Sequence, residues 1–312
     1  MNLIRKSNEL ALPSTVKMMI YGQAGMGKST LALSAPKPLL LDFDGGVKRI
    51  NMNHTKDVDT VQVEKWDDMK QLLSDVQSLA SYQSIVVDTI GKMMDFIIIY
   101  KCGTRQPYLK DWGGINQEFT WFTRALSSLN KNIIFVAHRD TRKEGDDTVF
   151  IPSLREKSYN SIVTELDLLG YLEMKSENGV QKRTITFDPT SRNDGKNTCY
   201  LPSVMDIPTI LDQSGNITAP NDFIQQRVIT PYISMLAKKK EQQESYDKVI
   251  GEIKEQIALI TDEVSINEFI GRIDEFEHVG SSKMAAAQMI ASKAKELGLV
   301  LDKKTKTYGK AA

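Results

Sequence analysis

One segment restricts this chain more than any other. Val16–Tyr21 is apolar apart from Lys17 and runs directly into Gly22-Gln23-Ala24-Gly25-Met26-Gly27-Lys28-Ser29, followed by Thr30. The spacing is GxxxxGK[ST] at every position. A buried strand, a glycine turn and a helix start in this order form a phosphate cradle. The glycines let the backbone wrap so that successive N–H groups point inward, and the helix that follows adds the positive end of its dipole. Lys28 then reaches the β- and γ-phosphates and Ser29 holds Mg²⁺. The expected cofactors are ATP and Mg²⁺.

A parallel sheet is expected around this segment. Pro38–Phe43, Ser84–Asp88 and Asn132–His138 are apolar almost throughout, and Val61–Val63 is a shorter strand candidate. Continuous apolar strands alternating with helical stretches imply an α/β fold, a mostly parallel sheet covered by helices on both faces. The helical stretches are Lys28–Ala35, Trp66–Tyr82, Gly91–Lys101 and Ile115–Leu129. Between the last two lies a polar loop, Cys102–Gly114. Further on, Leu166–Met174 and Gln181–Phe187 flank Asn178-Gly179, a hairpin signal. Asn221–Leu236 reads as a closing helix.

In such sheets ligands gather at the carboxyl ends of the strands. Asp88 ends the third of these strands and is placed to orient the Mg²⁺ shell, its alternative being a helix cap. Asp42 and Asp44 end the second, before Gly45-Gly46. Asp44 lies further out and is the candidate to activate the attacking water, with plain turn chemistry as the alternative. His138 ends the fourth and is placed to touch the γ-phosphate, or else is an ordinary partly buried histidine.

The composition changes at Lys238-Lys239-Lys240-Glu241-Gln242-Gln243, which reads as a linker. The expected organisation is a core over 1–237, a linker over 238–245, a small helical domain over 246–300 and a fraying basic tail over 301–312 carrying Lys303, Lys304, Lys306 and Lys310. Lys plus Arg equals Asp plus Glu at 40 each. A nucleic-acid partner must therefore be met by a local patch. The two cysteines, Cys102 and Cys199, have neither zinc nor CxxC spacing, which suits a reducing cytoplasm. No apolar run is long enough to span a bilayer, so no membrane partner is expected.

Taken together, Tyr21–Leu31, Leu39–Gly46, Ile85–Thr89, Asp111–Gly114, Ile133–Arg139 and Ile151–Leu172 resemble the RecA-like ATPase core. The match is closest to short bacteriophage RecA-core proteins linked to single-strand annealing. The resemblance implies phosphate and metal roles for Lys28 and Ser29, and the acid role on the metal shell for Asp88. It puts Asp44 where RecA has its catalytic glutamate, one methylene shorter, so hydrolysis is expected to be slow. It puts His138 where RecA has a γ-phosphate-sensing glutamine. It further implies a ring or filament homo-oligomer and action on single-stranded DNA in recombination, annealing or replication. A single-strand-binding protein is then a candidate partner, and the setting is the host cytoplasm if the chain is phage-encoded.

The loop after His138 is the DNA candidate. Arg139, Arg142 and Lys143 are suited to tracking phosphates, although Glu144, Asp146 and Asp147 beside them fit a solvated mobile loop equally well. Tyr108 and Trp112, with Arg105 and Lys110 nearby, are candidates either to stack bases or to anchor their loop. Arg155 and Lys157 are candidates to reach a neighbour's γ-phosphate, with surface solubility as the blander role. Two other functions stay open: a nucleotide-gated loading module with little turnover, and a small-molecule kinase. No Arg-rich lid supports the kinase.

Overall fold

The computed structural model describes residues 12–177, 180–212, 214–302 and 305–310. The chain divides into two compact units, one over Pro13–Ile233 and one taking in Ser234–Ala312.

The first unit is built on a sheet ordered β10-β8-β7-β1-β5-β4-β2-β3. Its strands in chain order are β1 (Lys17–Gly22), β2 (Pro38–Asp42), β3 (Asp59–Gln62), β4 (Ser84–Asp88) and β5 (Asn132–Glu144). They are followed by β6 (Asp147–Pro152), β7 (Leu168–Glu177), β8 (Val180–Thr186), β9 (Lys196–Asn197) and β10 (Val204–Ile207). From β7 through β1, β5, β4 and β2 to β3 every neighbour is parallel. β8 and β10 extend the β7 edge antiparallel, and β9 also pairs with β7. Burial on both faces explains the apolar runs: Ile20, Tyr21, Leu41, Val86, Val87, Val136 and Ala137 are all inaccessible.

The helices of this unit are α1 (Lys28–Ala32), α2 (Trp66–Ser74), α3 (Ile90–Cys102), α4 (Trp112–Ser128) and α5 (Glu156–Glu165). Ile90, Met93, Ile97, Phe119 and Phe122 join the core beside Trp66 and Met69. α1 stops three residues short of the expected Ala35. α2 ends at Ser74, and Val76–Leu79 continues as a 3-10 turn whose Val76 is exposed. α4 begins at Trp112, so Trp112 belongs to a helix rather than a loop.

The expected mobile loop over Arg139–Asp147 is a hairpin. β5 continues to Glu144, and β6 pairs back antiparallel from Arg139↔Pro152 to Glu144↔Asp147. Its distal half carries no continuous apolar face, which is why its charged sequence resembled a loop. The Asn178-Gly179 turn lies outside the described residues, but the strands flanking it pair as expected.

The second unit contains most of α6 (Thr230–Ala258), then α7 (Glu263–Gly271), α8 (Ser282–Glu296), β11 (Leu299–Asp302) and β12 (Thr307–Lys310). Ile253, Ile266, Ala286 and Ala294 lie at its centre. Two boundaries differ from expectation. Residues 238–245 are not an extended linker but lie inside α6, since Lys, Glu and Gln are good helix formers. The tail does not simply fray: Thr307–Lys310 pairs with Leu299–Asp302, and Asn267 bonds both the N–H and the carbonyl of Tyr308. Lys303 and Lys304 lie outside the described residues. Among the described residues no helix is long and apolar enough to cross a membrane.

Candidate nucleotide site

Parallel pairing assembles the site. Gly22 is level with His138, and Asp42 with Asp88, so the ends of β1, β5, β4 and β2 share one rim of the sheet. A cavity of about 610 Å³ opens there, lined by Ala24, Gly25, Gly27–Thr30, Asp44, Asp88 and His138. Gln23 and Met26 complete the loop. Gly22 is required by close approach: a Cβ there would sit 2.4 Å from the Leu172 carbonyl oxygen of β7. Gly25 and Gly27 have φ of 80° and 81°, a conformation side chains rarely adopt. α1 has only five residues, so its dipole adds less than the sequence suggested and the loop's own N–H groups carry the cradle.

Lys28 is buried, and its Nζ donates to the Gln23 carbonyl at 2.8 Å, which leaves further N–H groups for a phosphate. Burial lowers its pKa, and Asp88 and Asp44 oppose that shift. Asp88 is also buried. Desolvation pushes its pKa up to about 6, against a hydrogen bond from Ser29 and the charge of Lys28. The pKa of His138 is lowered, first by burial and then by Lys28, which favours the neutral ring at neutral pH.

The two carboxylates after β2 differ in geometry. Both Asp42 oxygens accept backbone N–H groups, Gly46 at 3.0 Å and Val47 at 3.2 Å, so Asp42 builds the turn. Asp44 faces the cavity. Its Oδ1 is buried without a hydrogen-bond partner, and Arg49 lies 3.9 Å away, beyond bonding range.

These groups fit Mg²⁺. The Ser29 hydroxyl and Asp88 carboxylate are adjacent hard oxygens, and Asp44 Oδ1 has an unmet acceptor. Among the described residues no cluster of His, Cys, Asp and Glu could hold a metal alone. Mg²⁺ takes one or two protein oxygens and completes its shell with phosphates and water.

The other candidates are not gathered at the cavity. Arg139 bonds the Tyr171 hydroxyl at 3.0 Å and stacks on Phe150. Arg142 is forked onto Asp194 at 3.0 and 3.1 Å and also bonds Glu144. Lys143 is exposed near the hairpin tip and donates to Thr148. Trp112 carries the Arg155 guanidinium 3.3 Å above its ring, and Arg105 pairs with Asp111 beside Tyr108. Sequence reasoning missed Arg183, Arg49, Asn51, His54, Thr209 and Ile210, all of which line the cavity. The one local signal was period-two alternation, which puts Arg183 on the same strand face as Ile185 and Phe187.

A glycine cradle on the strand beside β5, with the acid strand β4 one place further, is the arrangement of a P-loop nucleotide-binding core. The family model described as an AAA domain matches residues 14–199, over half of the chain. The chain belongs to this AAA domain family of nucleotide-binding ATPases.

A curated relative, the SPbeta prophage-derived uncharacterized protein YorG of Bacillus subtilis (strain 168), is 25% identical over 178 residues, covering 52% of this chain. The match takes in 51% of that protein, so it reaches about half of the relative's length. Among solved structures, the KaiC-like protein PH0186 of Pyrococcus horikoshii OT3 matches at 11% identity and a TM-score of 0.36, over 55% of this chain and 77% of that one. The flagellar accessory protein FlaH of Methanocaldococcus jannaschii matches at 13% and 0.37, over 65% and 93%. The RadB recombinase matches at 15% and 0.35, over 55% and 79%.

Proposed function

We propose that this chain binds ATP with Mg²⁺ and hydrolyses it, and that turnover is coupled to single-stranded DNA. The observation that carries the nucleotide reading is the convergence of Lys28, Ser29, Asp88, Asp44 and His138 on one cavity at the sheet rim. Backbone N–H groups of the glycine loop and Lys28 bind the phosphates. Ser29 and Asp88 hold Mg²⁺, which would neutralise phosphate charge. Asp44, with a free acceptor oxygen, takes a proton from the attacking water. His138, neutral and at the cavity edge, contacts the γ-phosphate.

The DNA reading draws on the RecA-like resemblance and on β5, a single strand that runs from His138 into the hairpin bearing Arg142 and Lys143. Of the three basic candidates, Lys143 keeps the freest charge, since Arg139 and Arg142 are engaged inside the protein. The prophage name of the relative fits a phage setting, and a ring or filament of identical chains in the cytoplasm fits the class. ATP turnover measured with and without single-stranded DNA tests the proposal. Turnover raised by DNA supports it. Tight ATP binding with negligible turnover under both conditions would favour a nucleotide-gated loading module instead.

A further inference from the structure

Two arginines line the cavity that the sequence did not announce, Arg49 near Asp44 and Arg183 over the glycine loop. Arg183 sits on β8, level with Met174 of β7 and Ile207 of β10. Its NH1 lies 2.6 Å from the point where a Cβ on Gly27 would stand. Real Cβ atoms do not approach so closely. Gly27 supplies the left-handed backbone of the loop, and the flexible end of Arg183 rests over it. Arg183 lines both the phosphate cavity and an adjoining recess formed with Gly27, Thr30, Ile207, Pro208 and Ile210. Among the described residues no carboxylate pairs with it. A half-buried guanidinium without an anion is costly, and a bound anion would offset that cost.

We propose that Arg183 clamps the α- and β-phosphates of a nucleoside di- or triphosphate bound by the same chain. This rests on the nucleotide reading above. The choice of phosphates follows from the loop under Arg183. The Arg183 NH1 stands over Gly27, and the glycine loop is the part of such cradles that faces the α- and β-phosphates. Lys28 also needs help with charge, because Asp88 and Asp44 already act on it before nucleotide arrives. Arg183 adds a planar, bidentate donor whose charge is not so compensated.

The test is a Mg²⁺-dependent titration of fluorescent ADP and ATP analogues into wild type, Arg183→Ala, Arg183→Lys and Lys28→Ala, each checked for folding by thermal melt. Arg183→Ala should weaken ADP and ATP by a similar factor, roughly 10- to 100-fold, as expected for losing charge-assisted hydrogen bonds. Arg183→Lys should recover part of it, and turnover at saturating ATP should change only a few-fold. If Arg183→Ala misfolds, Arg183→Gln replaces it in the same titration. Folded Arg183 variants that bind ADP like wild type overturn the assignment, as does a loss confined to turnover. Wild type that binds neither nucleotide overturns the nucleotide reading itself. Wild type that binds, with Lys28→Ala failing and Arg183→Ala unaffected, removes the Arg183 contact alone.

Discussion

Ser29 and Asp88 line the same cavity, Ser29 at the end of the glycine loop and Asp88 at the tip of β4, with β5 lying between β4 and the loop's own strand β1. Buried there, Asp88 is the group whose ionisation the site must accommodate.

That gives a pH prediction. Burial raises the Asp88 pKa from 3.8 to about 6, so its contribution to stability is fully present below the unfolded value and is lost as pH rises through the folded one. Asp88→Asn, which cannot ionise, should therefore raise the Tm of the nucleotide-free protein near neutral pH and much less in mild acid. The expected gain is on the order of 2–3 kcal/mol. Binding has the opposite sense. Metal coordination needs the carboxylate, so Mg²⁺-dependent ATP affinity of the wild type should fall as pH drops through about 6. Equal Tm differences at both pH values would show that Asp88 ionisation is not the cause.

Lys28→Ala should abolish ATP binding or turnover and leave the fold intact. Burying the ammonium costs solvation, so its removal should not lower the Tm substantially. Calorimetric or fluorescence titration checks it, and normal ATPase activity in the folded variant would remove Lys28 from the site.

Asp44→Asn should slow hydrolysis by about 100-fold or more while keeping Mg²⁺–ATP binding, since general acid–base groups contribute roughly that much. Asp42→Ala should act through the fold, because Asp42 accepts from Gly46 and Val47. A loss of about 1–3 kcal/mol is expected for the unmet N–H groups. Turnover stopped by Asp42→Asn and spared by Asp44→Asn would reverse the assignment.

Changing Arg142 and Lys143 together to Ala should weaken single-strand binding and flatten its salt dependence without touching ATP affinity. The paired state of Arg142 sharpens this. Lys143→Ala alone should carry most of the salt effect, and Arg142→Ala should mainly loosen the hairpin. Anisotropy at several salt concentrations distinguishes the two. An unchanged slope in the double variant would move the DNA contact to another surface, with the Tyr108–Trp112 segment the next to test.

What could be read from the sequence follows from burial. Ser84–Asp88 was legible to the residue because a strand covered on both faces is apolar from end to end. The same logic placed Gly22, Asp42, Asp88 and His138 on one rim. The outer half of β5 escaped because a two-stranded ribbon in solvent needs no apolar stripe, and Arg139–Glu144 read as a charged loop. Residues 238–245 misled for a related reason: charge marks solvent exposure, not the end of a helix. Arg183 was missed because alternation places it on the face of Ile185 and Phe187 without saying what that face meets. Its significance exists only once the sheet brings β8 beside Gly27.

The length of β5 has a mechanical consequence. At about 3.3 Å per residue, the stretch from His138 to Glu144 places the hairpin tip roughly 20 Å from the phosphate end. The Arg142–Asp194 fork braces this arm. Asp194 in turn is bonded by Tyr159, and its carbonyl lies 2.6 Å from the Tyr21 hydroxyl on β1. The arm is thus a strut tied back to the strand that ends in the glycine loop. These bonds fix the base of the arm, so a rotation there would turn the arm with it. A tilt of about 5° would carry a tip at this distance nearly 2 Å, which is the scale on which packed elements switch.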